Sequence, residues 1–249
     1  MPKVKVNDIE MYYEVHGEGE PIVFLHGFSW SNQMWNPFIP DFEEHYQLII
    51  PDLRGHGRTT NPSKKFTHRQ SALDIYALLD HLKIERFKAV GWSSGGMTLI
   101  HMATQQPNRV EAMILVSAAS HFGKEWRELV AQENIDDWTE DQWNYYRSIH
   151  FHGDEQIRLW WKQFYEMKDS YDDMNFTSPY LSTITAKTLI IHGDRDGFFP
   201  VSIPMNMYNS IPDSYLWITP NTSHGLITKR YTSEIKREAL EFLSGSWDE

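Results

Sequence analysis

Phe87-Lys88-Ala89-Val90-Gly91-Trp92-Ser93-Ser94-Gly95-Gly96-Met97 is the stretch whose reading decides the fold. Phe87 to Val90 is a strand-like apolar run, and Met97 to Ala103 is helix-competent. Between them stands G-x-S-x-G with a third glycine, the strand, sharp turn and helix that hold a nucleophilic serine clear of its backbone. So tight a turn puts the serine in strained geometry. Side chains in place of Gly91 and Gly95 are expected to collide with the neighbouring strand and helix. Ser93 Oγ then stands above the N-terminus of the following helix.

Outward from this turn, the pattern alternates. Lys3–Val6 and Ile9–Val15, separated by Asn7-Asp8, read as an antiparallel hairpin. Ile22-Val23-Phe24-Leu25 is a short all-apolar run, the mark of a strand buried on both faces, and Tyr46 to Ile50 is another apolar strand. Pro37 and Pro40 limit the segment from Gln33 to Glu44 to short helical pieces. Thr67-x-x-Gln70 has the form of a capping box and opens a helix to about Leu82, with Ala72, Ile75, Leu79 and Leu82 on its inner face. Val110 to Val116 is the next strand. Strand and helix alternate again through Lys187–Ile191, Ser202–Ser210, Tyr215–Ile218 and a last helix from about Thr232 to Leu243. This order predicts an α/β fold with a doubly wound, mostly parallel sheet.

From about His121 to Thr183 the alternation stops. This stretch holds Trp126, Trp138, Trp143, Trp160 and Trp161 and no strand-like run. It reads as a helical cap inserted into one core domain, so the expected division is 1–120 with 184–249 for the core and 121–183 for the cap.

Composition bounds the function. The 249 residues are 41% hydrophobic and 23% charged, as in a soluble globular protein. The net charge of −11 disfavours nucleic acid or an anionic membrane as partner. Cysteine is absent, which rules out a disulfide frame, a thiolate nucleophile and a cysteine metal site. The first residues lack the apolar core of a signal peptide, and no apolar run reaches membrane-spanning length. A cytoplasmic protein, monomeric or homodimeric, is expected.

A serine hydroxyl needs a base, and the base needs an orienting acid. In a parallel sheet these groups come from loops at the carboxyl ends of strands. Ser93 follows one strand, Asp196 lies in Gly193-Asp194-Arg195-Asp196 after a second, and His224 lies in Pro220-Asn221-Thr222-Ser223-His224 after a third. Asp194 shares the loop of Asp196 and is the alternative acid. His26, Asp52 and Arg54 are expected to shape sheet-end loops, His192 to be a buried, hydrogen-bonded histidine, and Met97, Met102 and Met113 to be core.

His26-Gly27, Pro51-Asp52-x-Arg54-Gly55-x-Gly57, the serine turn, Gly193-x-x-Asp196-x-x-x-Pro200 and the late His224 together resemble the α/β-hydrolase superfamily over nearly the whole chain. Two positions depart from the usual pattern: Ser223 stands where glycine is common before the histidine, and Thr59 where serine is frequent. The resemblance implies Ser93 as nucleophile, His224 as base and then acid, and Asp196 as the acid, by its spacing to Pro200. It further implies an oxyanion hole from the backbone N–H groups of Phe28 and Ser94, and no metal or organic cofactor.

The cap is expected to cover Ser93, with Trp92, Trp143 and Trp160 as candidate substrate-binding residues and Trp92 packed behind the turn. The expected activity is hydrolysis of small, partly apolar carboxylic esters or lactones through an acyl-enzyme. The alternatives are C–C bond hydrolysis or perhydrolysis by the same triad, or a slow-turnover small-molecule receptor. Haloalkane dehalogenase and epoxide hydrolase chemistry need a carboxylate where Ser93 stands. A histidine base acts when neutral, so the rate is expected to rise with pH through about 6 to 7.

Overall fold

The computed structural model describes residues 2–228 and 231–248. Its centre is one eight-stranded sheet: β1 (Lys3–Val6), β2 (Ile9–His16), β3 (Glu20–Leu25), β4 (Tyr46–Pro51), β5 (Phe87–Trp92), β6 (Val110–Val116), β7 (Lys187–Gly193) and β8 (Ser214–Thr219). The spatial order is β1-β2-β4-β3-β5-β6-β7-β8. β1 pairs antiparallel with β2, and β2 antiparallel with β4; from β4 to β8 every pairing is parallel.

The all-apolar strand runs have a direct structural cause. Val23 and Leu25 of β3, Ala89 of β5, Met113 and Leu115 of β6 and Ile190 of β7 enter one core. Their neighbours Ile22, Phe24, Val90, Ala112, Ile114, Val116, Leu189 and Ile191 enter the other. Side chains alternate across a strand, so a sheet covered on both faces needs apolar residues at every position.

The covering helices are α1 (Ile39–Phe42), α2 (His68–His81), α3 (Ser94–Gln105), α4 (Lys124–Ala131), α5 (Glu140–Ile149), α6 (Asp154–Glu166), α7 (Ser178–Leu181), α8 (Ser202–Ser210) and α9 (Thr232–Ser244). Ala72, Ile75 and Leu79 of α2 pack into the first core with Leu99, Ile100 and Ala103 of α3. Ile235, Ala239 and Phe242 of α9 close the second with Phe42. At α2, half of the expected capping box forms. Thr67 Oγ1 accepts from the Gln70 amide at 3.0 Å, but the Gln70 side chain turns to Asp74 at 3.1 Å because Asp74 lies one turn ahead. A complete box forms at α5, between Thr139 and Gln142.

The chain leaves the sheet after Val116 and returns at Lys187, and everything between is helical or irregular apart from an isolated bridge of His121 to Asn175. Its aromatic residues Trp126, Trp143 and Trp160 join the first core, so the insertion is packed onto the carboxyl ends of the strands. The last of its helices, α7, packs against α8 of the core, with Ser210 Oγ 2.9 Å from Ser178 Oγ.

Candidate active site

β5 ends at Trp92 and α3 begins at Ser94, so Ser93 occupies the single residue between them. Its φ of 51° and ψ of −116° lie outside the regions open to most residues. The surroundings hold it there: Ser93 N donates to Val116 O at 2.8 Å, and Met97 N donates to Ser93 O at 2.9 Å. A Cβ on Gly95 would strike the Leu25 carbonyl, and one on Gly91 would lie 2.5 Å from the Gly96 nitrogen. Only glycine lets the helix approach the strand this closely.

The loop after β8 brings His224 to this turn. His224 Nε2 is 2.9 Å from Ser93 Oγ, and Nδ1 is 2.8 Å from Asp196 Oδ2. A carboxylate only accepts, so Nδ1 carries the proton and Nε2 accepts from the serine hydroxyl. Asp196 Oδ1 accepts from the amides of Phe198 and Phe199 at 2.8 and 3.1 Å. Burial alone would raise the Asp196 carboxyl, but the His224 hydrogen bond, the charges of His224 and His192 and the Phe198 amide outweigh it and hold it below its ordinary value. Asp194 Oδ1 instead accepts from Thr222 N at 3.2 Å.

Two residues that sequence reasoning left without this role fix the histidine. Trp92 Nε1 and Ser117 Oγ each donate to the His224 carbonyl at 3.1 Å. Ser117 sits directly after β6 with a φ of 47°; a residue following a parallel strand is the signal that could have drawn attention to it. Trp92, Phe198 and Phe199 pack around the imidazole, with ring centroids 5.5, 4.8 and 5.5 Å away.

Ser94 is the first residue of α3, so its N–H is one of the donors a helix leaves unpaired at its N-terminus. Phe28 lies in the loop after β3, packed against Trp160 and Phe164. Three buried histidines support that loop. His26 Nδ1 donates to Gly27 O at 2.7 Å, and its Nε2 accepts from Leu53 N at 2.9 Å. His150 of the insertion accepts from Gly57 N at 3.0 Å and donates to Ser29 O at 3.1 Å. His56 lies between them, its centroid 5.4 Å from His26 and 5.9 Å from His150. Asp52 accepts from the amides of Asn32 and Arg58, while burial pushes its carboxyl up to about 7. Arg54 is buried in a bidentate pair with Asp74 and a second pair with Asp8, which ties the first hairpin to α2. His192 is buried and donates to Phe199 O at 2.9 Å.

Ser93 opens on a cavity of about 270 Å³ between the sheet ends and the insertion. Its walls are mainly aromatic: Phe28, Trp30, Trp92, Phe122, Trp126, Trp138, Trp160, Phe164, Phe198 and Phe199, with Ser94 and His224 beside Ser93. Trp92 and Trp160 line it, but Trp143 does not. The Trp143 ring packs beside Trp138 and is covered by Arg158 and Arg147, whose guanidinium carbons lie 4.8 and 5.5 Å from its centroid. Its place on α5 puts it behind the cavity wall, a correction to its assignment as a substrate-binding residue.

Residues 20–141 match the family described as alpha/beta hydrolase fold. Over 97% of its length the chain also superposes on all of a solved N-acyl homoserine lactone degrading enzyme, Est816, with a TM-score of 0.76 and 26% identity. The chain has the α/β-hydrolase fold. A pimeloyl-[acyl-carrier protein] methyl ester esterase of Legionella pneumophila is 32% identical over 114 residues, 46% of this chain and 44% of that protein. The chain thus spans under half the length of that relative. A non-heme chloroperoxidase of Burkholderia pyrrocinia is 28% identical over 92% of this chain and 94% of its own length. Among the described residues no helix is long and apolar enough to cross a membrane.

Proposed function

We propose that this chain cleaves carboxylic esters or lactones of small, partly apolar substrates through an acyl-enzyme on Ser93. The observation that carries the reading is the unbroken Ser93–His224–Asp196 chain opening on an aromatic cavity. Ser93 Oγ attacks the substrate carbonyl carbon and its proton passes to His224 Nε2; the Asp196 carboxylate stabilises the resulting imidazolium. The Ser94 and Phe28 amides receive the oxyanion, each lowering the barrier by roughly 3 kcal/mol. His224 then protonates the departing alkoxide oxygen. Water, deprotonated by His224, attacks the ester on Ser93, and the acid leaves with the serine proton restored. Drug-sized sites run from roughly 300 to 1,000 Å³, so a cavity of about 270 Å³ suits short acyl groups. Residues 121–183 act as the cap that supplies its outer wall.

A second reading is perhydrolysis, in which hydrogen peroxide replaces water on the acyl-enzyme and a peracid leaves. The near full-length likeness to a non-heme chloroperoxidase favours it. The test of both is a panel of p-nitrophenyl esters and lactones, with and without peroxide, against wild type and Ser93→Ala. Turnover on short acyl chains should fall by several orders of magnitude, up to ~10⁶, in the variant. Activity that survives Ser93→Ala would end the proposal, and a single slow acylation without turnover would point to a receptor.

A further inference from the structure

The residue after Ser93 has a hydrogen-bonded chain of its own. Ser94 Oγ lies 2.9 Å from His68 Nε2, and His68 Nδ1 lies 2.7 Å from Asp173 Oδ2. By the reasoning used for His224, Nδ1 donates to the carboxylate and Nε2 accepts from the Ser94 hydroxyl. Consecutive serines thus end two Ser–His–Asp chains of the same polarity. The second is closed to substrate at its base: His68 is fully buried, with the rings of Phe66 and Phe122 packed on it at 5.3 and 6.0 Å.

Its three members come from three parts of the fold. Ser94 begins α3, His68 begins α2, and Asp173 belongs to the helical insertion. Asp173 is anchored by more than the imidazole. Its carboxylate accepts from the amides of His68 and Arg69 at 2.8 and 3.1 Å, which caps α2 from outside, and its carbonyl accepts from His101 Nε2 at 2.8 Å. Burial by itself would raise this carboxyl, but the hydrogen bonds from His101 and His68 prevail and hold it well below the ordinary carboxylate range. The carboxylate therefore has a fixed place, and so has the ring.

We infer that His68 and Asp173 are positioning residues for Ser94, so that seating of the insertion on the core sets where the Ser94 amide meets an oxyanion. The inference rests on the serine-hydrolase reading. The first residue of a helix is where backbone order is weakest, and the hydroxyl of Ser94 is tied to an immobile ring there. Loss of Asp173 frees His68, and loss of either frees Ser94, without touching the Ser93–His224–Asp196 chain.

The test uses the full chain and p-nitrophenyl acetate, with active sites titrated by a fluorophosphonate and melting recorded alongside. Asp173→Asn and Ser94→Ala should each lower kcat about tenfold, less than the 10²–10³ of deleting an oxyanion donor outright, with KM within about twofold. The double variant should be no worse than the singles, since one chain is broken once. An unchanged kcat per titrated site in Ser94→Ala or Asp173→Asn, or losses that multiply in the double variant, would overturn the inference. Equal turnover by wild type and Ser93→Ala would instead sink the hydrolase reading itself.

Discussion

Acid should loosen the loop that carries Phe28 before it touches the rest of the fold. His26 and His150 each accept a backbone amide on one ring nitrogen and donate to a carbonyl from the other. Both bonds exist only in the neutral ring, since a protonated imidazole has no acceptor. Burial pushes His26 down to about 3 and His150 down to about 4 from an ordinary 6.5, and His56 likewise falls well below it. The unfolded chain therefore takes up these protons first. Their contribution to stability is complete above about pH 7 and shrinks as pH falls through 6.5 towards the folded values. Between pH 7.5 and 5 each of His26 and His150 accounts for a loss of about 2 kcal/mol. Asp52, raised to about 7, takes up its proton in the folded state and returns about 2.5 kcal/mol over the same interval.

The clean readout is therefore a difference of differences. Urea unfolding followed by tryptophan fluorescence, at pH 7.5 and at pH 5, gives the acid loss for wild type and for His150→Gln. The variant should be less stable at pH 7.5 yet lose about 2 kcal/mol less on acidification. Equal acid losses in the two proteins would refute the reasoning, because the His150 proton would then not distinguish folded from unfolded chain.

Asp196→Asn should leave melting nearly unchanged and lower kcat by about 10⁴, since an amide no longer holds the correct imidazole tautomer; a loss under tenfold would shift the acid's role to Asp194. Trp160→Ala should enlarge the cavity and move the optimum in a p-nitrophenyl ester series to longer acyl chains, whereas Trp143→Ala, behind the wall, should keep the wild-type profile. Gly95→Ala should yield little soluble protein, because the new methyl meets the Leu25 carbonyl and the strand cannot retreat; an active, normally melting variant would contradict that packing.

Much of this was readable in one dimension. The apolar runs of β3, β4, β5, β6 and β7 carry their own evidence of two-sided burial, and the turn at Ser93 announces itself because every residue it needs is adjacent. Trp143 does turn inward, but composition does not say which buried aromatic reaches the cavity: Trp138 lines it and Trp143 packs beside Trp138. Ser117 and Trp92 hold the His224 carbonyl through bonds that span more than 100 residues, and no local pattern encodes such a partner. Asp173 was hidden for a related reason: its partner His68, at the start of α2, lies 105 positions away in the chain.

Ser93 and His224 are separated by 131 positions in the chain. At a synthesis rate of roughly 5–20 residues per second, the serine leaves the ribosome about 7 to 26 s before the histidine. β3, β5 and β6 can assemble around the turn in that interval, while β8, which carries the loop of His224, must wait to dock at the edge of the sheet beside β7. A hydroxyl without its base is inert, so on the proposed mechanism the nascent chain exposes Ser93 before it can attack its surroundings. Reactivity would then come only with the docking of β8.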